Sequence, residues 1–244
     1  MSEFIRLTLN EAVAAVTLDR GGEGNQLTIP MVRELAAVFR EAGRSDAKVI
    51  TLRSVGTDFC LGRDTRGGPT GGPPPNAVQM RTNLIVPLLD VYEAISSAPQ
   101  PVICSVQGAA AGFGCALATA CDITIASDTA RFKLPELEKN LPPTLAISAM
   151  MSRVPQKALT WLVYSMREVD AQTALRLGIV SEVVAPANLV AESDKLVTEL
   201  STRARDALIG IKDYVRAAPG LQGRAVADLA GNLLATVFSS VPRG

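Results

Sequence analysis

Three short segments carry residue types that could do chemistry. Residues 59–64 read Phe-Cys-Leu-Gly-Arg-Asp, residues 108–115 read Gly-Ala-Ala-Ala-Gly-Phe-Gly-Cys, and Glu136 directly follows Pro135. The first two follow predicted strands and set backbone N–H groups at tight turns. In the second, the turn opens a helix whose dipole favours negative charge. Two N–H groups converging on one point would make an oxyanion hole. Glu136 offers a carboxylate, although an acid in the first helical turn after a proline is also favoured on electrostatic grounds alone. The second turn is no dinucleotide fingerprint, because Gly108, Gly112 and Gly114 do not fit GxGxxG and no GK[ST] follows.

The 244 residues contain no histidine. Ser-His-Asp and Cys-His pairs, a histidine base and any histidine-containing zinc site are thereby excluded. Acid–base work falls to carboxylates, Lys, Tyr or Cys, and no metal is expected. Lysine and arginine (24) balance aspartate and glutamate (24), with both signs scattered, which argues against a nucleic-acid partner and for a small molecule or protein. An apolar fraction of 48% suffices for a large core. Cys60, Cys104, Cys115 and Cys121 lie in apolar stretches at spacings of neither a disulfide scaffold nor a CxxC pair, and read as reduced core residues of a cytoplasmic protein. Residues 1–10 lack the layout of a signal peptide. Residues 95–121 carry no charge, but Pro99, Pro101, Gln107 and the glycines at 108, 112 and 114 divide them. They read as a buried strand, turn and helix, with no membrane span.

Positioning these segments requires an α/β framework. Residues 4–10 and 12–19 predict a hairpin, Thr28 and Pro30 open a helix with Met31, Leu35, Val38 and Phe39 on one face, and 48–53 is a short buried strand. That order implies a right-handed crossover and parallel pairing. Residues 65–76, crowded with Gly and Pro, predict a surface loop: an insertion or a substrate cover. A helix over 78–95, a strand over 101–106, a small-residue helix over 112–121 and a strand over 122–126 continue the rhythm. Helices then dominate, at 147–151, 157–164, 171–177, 189–203 and 206–217, with one strand at 180–184.

The ordered motifs resemble the crotonase (enoyl-CoA hydratase/isomerase) superfamily. They comprise the opening hairpin, Asn25-Gln26-Leu27, residues 59–64, Gln100-Pro101-Val102-Ile103 leading into 108–115, Cys121-Asp122-Ile123, residues 132–136, and Ala171-Gln172 through Gly178-Ile179-Val180. The resemblance implies a spiral of ββα turns over residues 1–187 and a helical trimerisation region over 188–244. It also implies a homotrimer or dimer of trimers that takes an acyl-CoA substrate, with no cofactor beyond that coenzyme A. By position, the N–H groups of Leu61 and Phe113 would hold the thioester oxygen. Leu61, Gly62, Arg63 and Asp64 would lie beside CoA, with Arg63, Arg66 and Lys212 as either phosphate contacts or ordinary surface charges. Ala116, Phe132, Leu134 and Thr144 would line the acyl pocket, although Phe132 and Leu134 could equally just pack.

The catalytic acids set the reaction that the resemblance implies. Hydratases of the family use two glutamates; here the first position is Ala116 and the second is Glu136. Dienoyl-CoA isomerases pair the later glutamate with an aspartate eight residues on, and that position is Thr144. One acid of the two remains in either arrangement. Moving a double bond from the 3,4 to the 2,3 position needs one base and an oxyanion hole, so a Δ3,Δ2-enoyl-CoA isomerase with Glu136 as the base is expected. The alternatives are hydration with Glu138 or a held water replacing the missing acid, decarboxylation or thioester hydrolysis of an unusual acyl group, and a catalytically silent CoA-binding member.

Overall fold

The computed structural model describes residues 3–66 and 74–240. The expected loop at 65–76 falls largely on residues 67–73, outside the described residues. Among the described residues nine strands form two sheets: β1 (Ile5–Leu9), β2 (Val13–Leu18), β3 (Val49–Ser54), β4 (Val102–Val106), β5 (Ala109–Ala111), β6 (Ile123–Ser127), β7 (Arg131–Lys133), β8 (Val169–Asp170) and β9 (Glu182–Val184). The larger sheet has the order β1-β2-β3-β4-β6-β9 and the smaller β5-β7-β8. The opening hairpin is antiparallel, and β2, β3, β4, β6 and β9 pair in parallel. The expected crossover after β2 is present.

The helices are α1 (Ile29–Arg44), α2 (Ala77–Met80), α3 (Val86–Ser97), α4 (Phe113–Ala120), α5 (Thr144–Met150), α6 (Gln156–Ser165), α7 (Ala171–Leu177), α8 (Leu189–Ser201), α9 (Arg205–Ala217) and α10 (Arg224–Ser240). Thr28 caps α1, with Pro30 in its first turn. A reciprocal capping box between Asn76 and Gln79 starts α2. Between α2 and α3 the helix widens to a π-turn over Arg81–Ile85. Pro87 follows it and has no N–H for the carbonyl of Asn83, so the regular ladder cannot be kept there. The helix α5 begins three residues earlier than its apolar pattern suggests, because Pro143 suits a helix start.

One face of the large sheet packs Val16, Leu52, Cys104 and Val106 against Leu35 and Phe39 of α1, Ile95 of α3 and Leu117 of α4. The other packs Val49 and Ile103 against Val197 of α8 and Leu208 of α9. Each such buried aliphatic or aromatic side chain contributes roughly 1.5–3 kcal/mol, so the layers hold the strand ends in fixed register. Every residue of α4 is buried, as its small apolar composition requires. The four cysteines are free and buried. Among the described residues no helix is long and apolar enough to cross a membrane.

Three short strands, β5, β7 and β8, and the helix α10 are additions to the sequence reading. Two or three residues give no periodicity to detect, and α10 has a weakly one-sided apolar pattern.

Candidate active site

The loop after β3 and the turn before α4 are laced into one body. Asn25, fully buried with φ 52°, donates its side-chain amide to Val55 O and Asp58 O, both at 2.8 Å. Asp58 Oδ1 accepts the Ala109 N–H at 2.8 Å. The Cys60 N–H donates to Ala109 O at 3.2 Å, and the Ala111 N–H donates to Cys60 O at 3.0 Å. A methyl group on Gly114 would stand 2.0 Å from Cys60 O, so only glycine allows this approach.

This lacing corrects the expected oxyanion donors. The Leu61 N–H donates to Gly24 O at 2.9 Å, closing the loop between β2 and α1, and is therefore not free for a ligand. Gly62, at φ 96°, then turns the chain. Its carbonyl accepts the Leu27 N–H at 3.0 Å and the Asp64 N–H donates to Leu27 O at 2.9 Å. In a parallel bridge of this kind the residue between, Arg63, points its own N–H away from Leu27. That side faces the turn into α4. Among the described residues neither the Arg63 N–H nor the Phe113 N–H has an acceptor. Phe113 is the first residue of α4. Its N atom lies 3.6 Å from the point that a Cβ on Gly62 would occupy.

Glu136 opens a 3-10 turn, Glu136–Lys139, behind Pro135. Its Oε1 stands 2.9 Å from where a methyl group on Gly112 would be, beside the start of α4. Its Oε2 is buried and has no hydrogen-bond partner among the described residues. Burial raises its pKa above the ordinary glutamate range. Glu138 is not a second acid there, since it pairs with Lys133 at 2.6 Å and is half exposed. Ala116 is fully buried and adds no ionisable group. The Cys60 and Cys115 thiols are each pushed up to about 12, chiefly by burial, and stay protonated.

The other expected site residues divide. Asp64 is buried and its carboxylate accepts from Arg66 and Arg20, the latter at 2.8 Å, so it is a framework residue. Those bonds, Arg66 first, hold its pKa well below the usual carboxylate range. Arg66 also pairs with Glu23. Lys212 is corrected as a phosphate contact: it is buried, pairs with Asp122 at 2.7 Å and donates to Ile95 O and Gln100 O. Arg63 has no ion-pair partner among the described residues. Phe132 and Leu134 are wholly buried in the core and do not line an open pocket, while Thr144 is exposed at the start of α5.

Tyr92 of α3 packs beside the start of α4. Its ring packs on Phe113 with centroids 5.6 Å apart. Only its place on the inner face of a predicted helix hinted at burial.

Comparison with known proteins bears on the family and the fold. A profile of the enoyl-CoA hydratase/isomerase family matches residues 8–242. The chain is 33% identical over 181 residues to a probable enoyl-CoA hydratase of Rhodobacter capsulatus, covering 74% of this chain and 68% of that one. It is 29% identical over 222 residues to the 1,2-epoxyphenylacetyl-CoA isomerase of Escherichia coli K12, covering 89% and 84%. The crystal structure of an enoyl-CoA hydratase from Mycobacterium smegmatis superposes with a TM-score of 0.90 at 26% identity, over 98% of this chain and 92% of that one. The chain belongs to the enoyl-CoA hydratase/isomerase, or crotonase, superfamily.

Proposed function

We propose that the protein moves a double bond within an enoyl-CoA from the 3,4 to the 2,3 position. The observation that carries this reading is one carboxylate beside the start of α4, that of Glu136, whose Oε2 is buried and unpaired among the described residues, with no second acid at Ala116. Ionised Glu136 takes a proton from C2, and the negative charge moves to the thioester oxygen. The Phe113 and Arg63 N–H groups hold that oxygen, where fixed donors in a water-poor site contribute most. Glu136 then returns the proton at C4, which restores the carboxylate and leaves the conjugated product.

Hydration would need a second group to activate water, and Glu138 is occupied by Lys133. Of the three cations suggested by sequence for the CoA phosphates, Arg63 is the one without an ion-pair partner among the described residues. The same reading makes the protein a cytoplasmic homotrimer or dimer of trimers, with the helices from residue 188 onward at the subunit contact. Support comes from α10, which packs chiefly on α9 and leaves Leu234 exposed beside Ile211 and Val215.

The test is Glu136→Gln. Turnover of a 3-enoyl-CoA should fall about 10²–10⁴-fold, while CoA thioesters still bind. Undiminished turnover would remove Glu136 from the mechanism.

A further inference from the structure

Glu136 rides on a turn whose backbone is bonded to itself. Within residues 135–141 the Glu138 N–H donates to Pro135 O at 3.1 Å, the Asn140 N–H to Leu137 O at 2.9 Å and the Leu141 N–H to Glu136 O at 3.1 Å. Asn140, at φ 56°, closes the turn in the left-handed region. Among the described residues no backbone hydrogen bond joins this turn to another part of the chain. The apolar anchors stand outside it: Leu134 before and Pro143 after are buried, whereas residues 138–142 are exposed. A short segment with exposed backbone and few buried contacts is where local opening costs least.

One side chain ties the turn to the framework. Glu138 Oε1 lies 2.6 Å from Lys133 Nζ, and among the described residues no other ion pair or side-chain hydrogen bond leaves the turn. Lys133 is the last residue of β7. It pairs in the sheet with Ala111, and its carbonyl accepts the Gly112 N–H at 2.9 Å. Its main chain thus holds the glycine in front of Phe113, and its side chain holds the turn that carries the carboxylate. Lys133 and Glu138 lie on either side of Glu136 in the chain, so their pair closes a small ring around it. With side chains 30% and 48% exposed, the pair contributes little to global stability. Its leverage is on geometry, because a reacting group displaced by about 1 Å loses rate steeply.

We infer that Lys133 and Glu138 are positioning residues for Glu136: their ion pair fixes the turn so that the carboxylate stays against Gly112. This rests on the reading of Glu136 as the base, and it gives Glu138 a part other than that of a second acid.

The experiment measures steady-state kinetics on hex-3-enoyl-CoA for wild type, Glu138→Gln, Lys133→Met, the double variant of those two, and the conservative Lys133→Arg. Each of the first two should lower kcat about 3- to 30-fold with KM changed less than about twofold. The double variant should be no worse than the worse single one, because one pair is lost in all three. Lys133→Arg, which keeps the cation, should retain most of the wild-type kcat. Wild-type kcat in Glu138→Gln overturns the inference, and so do losses that multiply in the double variant or a change confined to KM. Glu136→Gln, run beside them, separates this inference from the reading beneath it. If it loses turnover while the Lys133 and Glu138 variants keep theirs, the base stands and the positioning role falls. If it keeps wild-type turnover, or if wild type does not convert the substrate, both fall together. Should Lys133→Met lose its near-ultraviolet circular dichroism, Glu138→Gln and Lys133→Arg, two substitutions of nearly equal shape at partly exposed positions, decide the outcome.

Discussion

Glu136 Oε1 occupies the space that a side chain on Gly112 would fill. Gly112 has φ 53°, and a methyl group there would approach the carboxylate oxygen to 2.9 Å. The glycine thus serves both the backbone turn into α4 and the seat of the carboxylate. Gly112→Ala should displace Glu136 and strain the turn at a cost of about 1–3 kcal/mol. We expect a lowered thermal midpoint, and a fall in kcat on a 3-enoyl-CoA larger than the change in KM. A variant with wild-type kcat would show that the carboxylate tolerates displacement.

The raised pKa of Glu136 fixes the sign of two pH effects. As a base it works only when ionised, so kcat/KM should climb with pH through a value above the ordinary glutamate range, with a slope absent from Glu136→Gln. For stability, the folded state holds the proton more tightly than the unfolded chain. Between the unfolded pKa, near 4.5, and the raised folded value, the native protein binds more protons, so stability declines as pH rises through that window. Glu136→Gln should therefore melt higher than wild type at neutral pH and no higher at pH 4. Equal melting differences at both values would contradict the assignment of cause.

The sequence made the framework legible because long periodic segments announce themselves. The helix α1 shows its cap, its proline and its apolar stripe, and β3 and β4 are runs of apolar residues bounded by turns. Glu136 and Phe113 were legible through their motifs. Which loop amide stays unbonded was not, because the choice between Leu61 and Arg63 depends on which amide Gly24 consumes. That contact lies between residues far apart in the chain, and a run of six residues does not encode it. Lys212 misleads for a similar reason: a lysine in an amphipathic helix reads as exposed until its partner Asp122 is seen. Tyr92 carried no signal beyond its helical face.

Asp64 ties the site loop to the rest of the protein. Its carboxylate accepts from Arg20, on the loop that also holds Asn25, and from Arg66 in its own segment. The bonds depress its pKa, so the stability they contribute is present above the unfolded pKa, near 3.8, and is lost as pH falls through the lower folded value. Asp64→Asn should destabilise by about 1–3 kcal/mol at neutral pH, less than a wholly buried pair because Arg66 is largely exposed. The difference from wild type should shrink in acid. Urea unfolding at pH 7 and pH 3 measures it, and a constant difference would rule out ionisation of Asp64 as the source.

Phe132 and Leu134 offer the sharpest contrast between packing and pocket. Both are completely buried, and Phe132 sits in β7, where it faces Ala110 of β5 on one side and Val169 of β8 on the other. Truncation leaves a cavity in a clamped sheet that has little freedom to collapse. Phe132→Ala should cost about 3–5 kcal/mol and Leu134→Ala about 2–5 kcal/mol in urea unfolding. If these side chains only pack, the ratio of kcat/KM for short and long acyl-CoAs stays at its wild-type value in any variant that remains folded. A shift of that ratio toward longer acyl chains, with stability preserved, would return both residues to the acyl pocket.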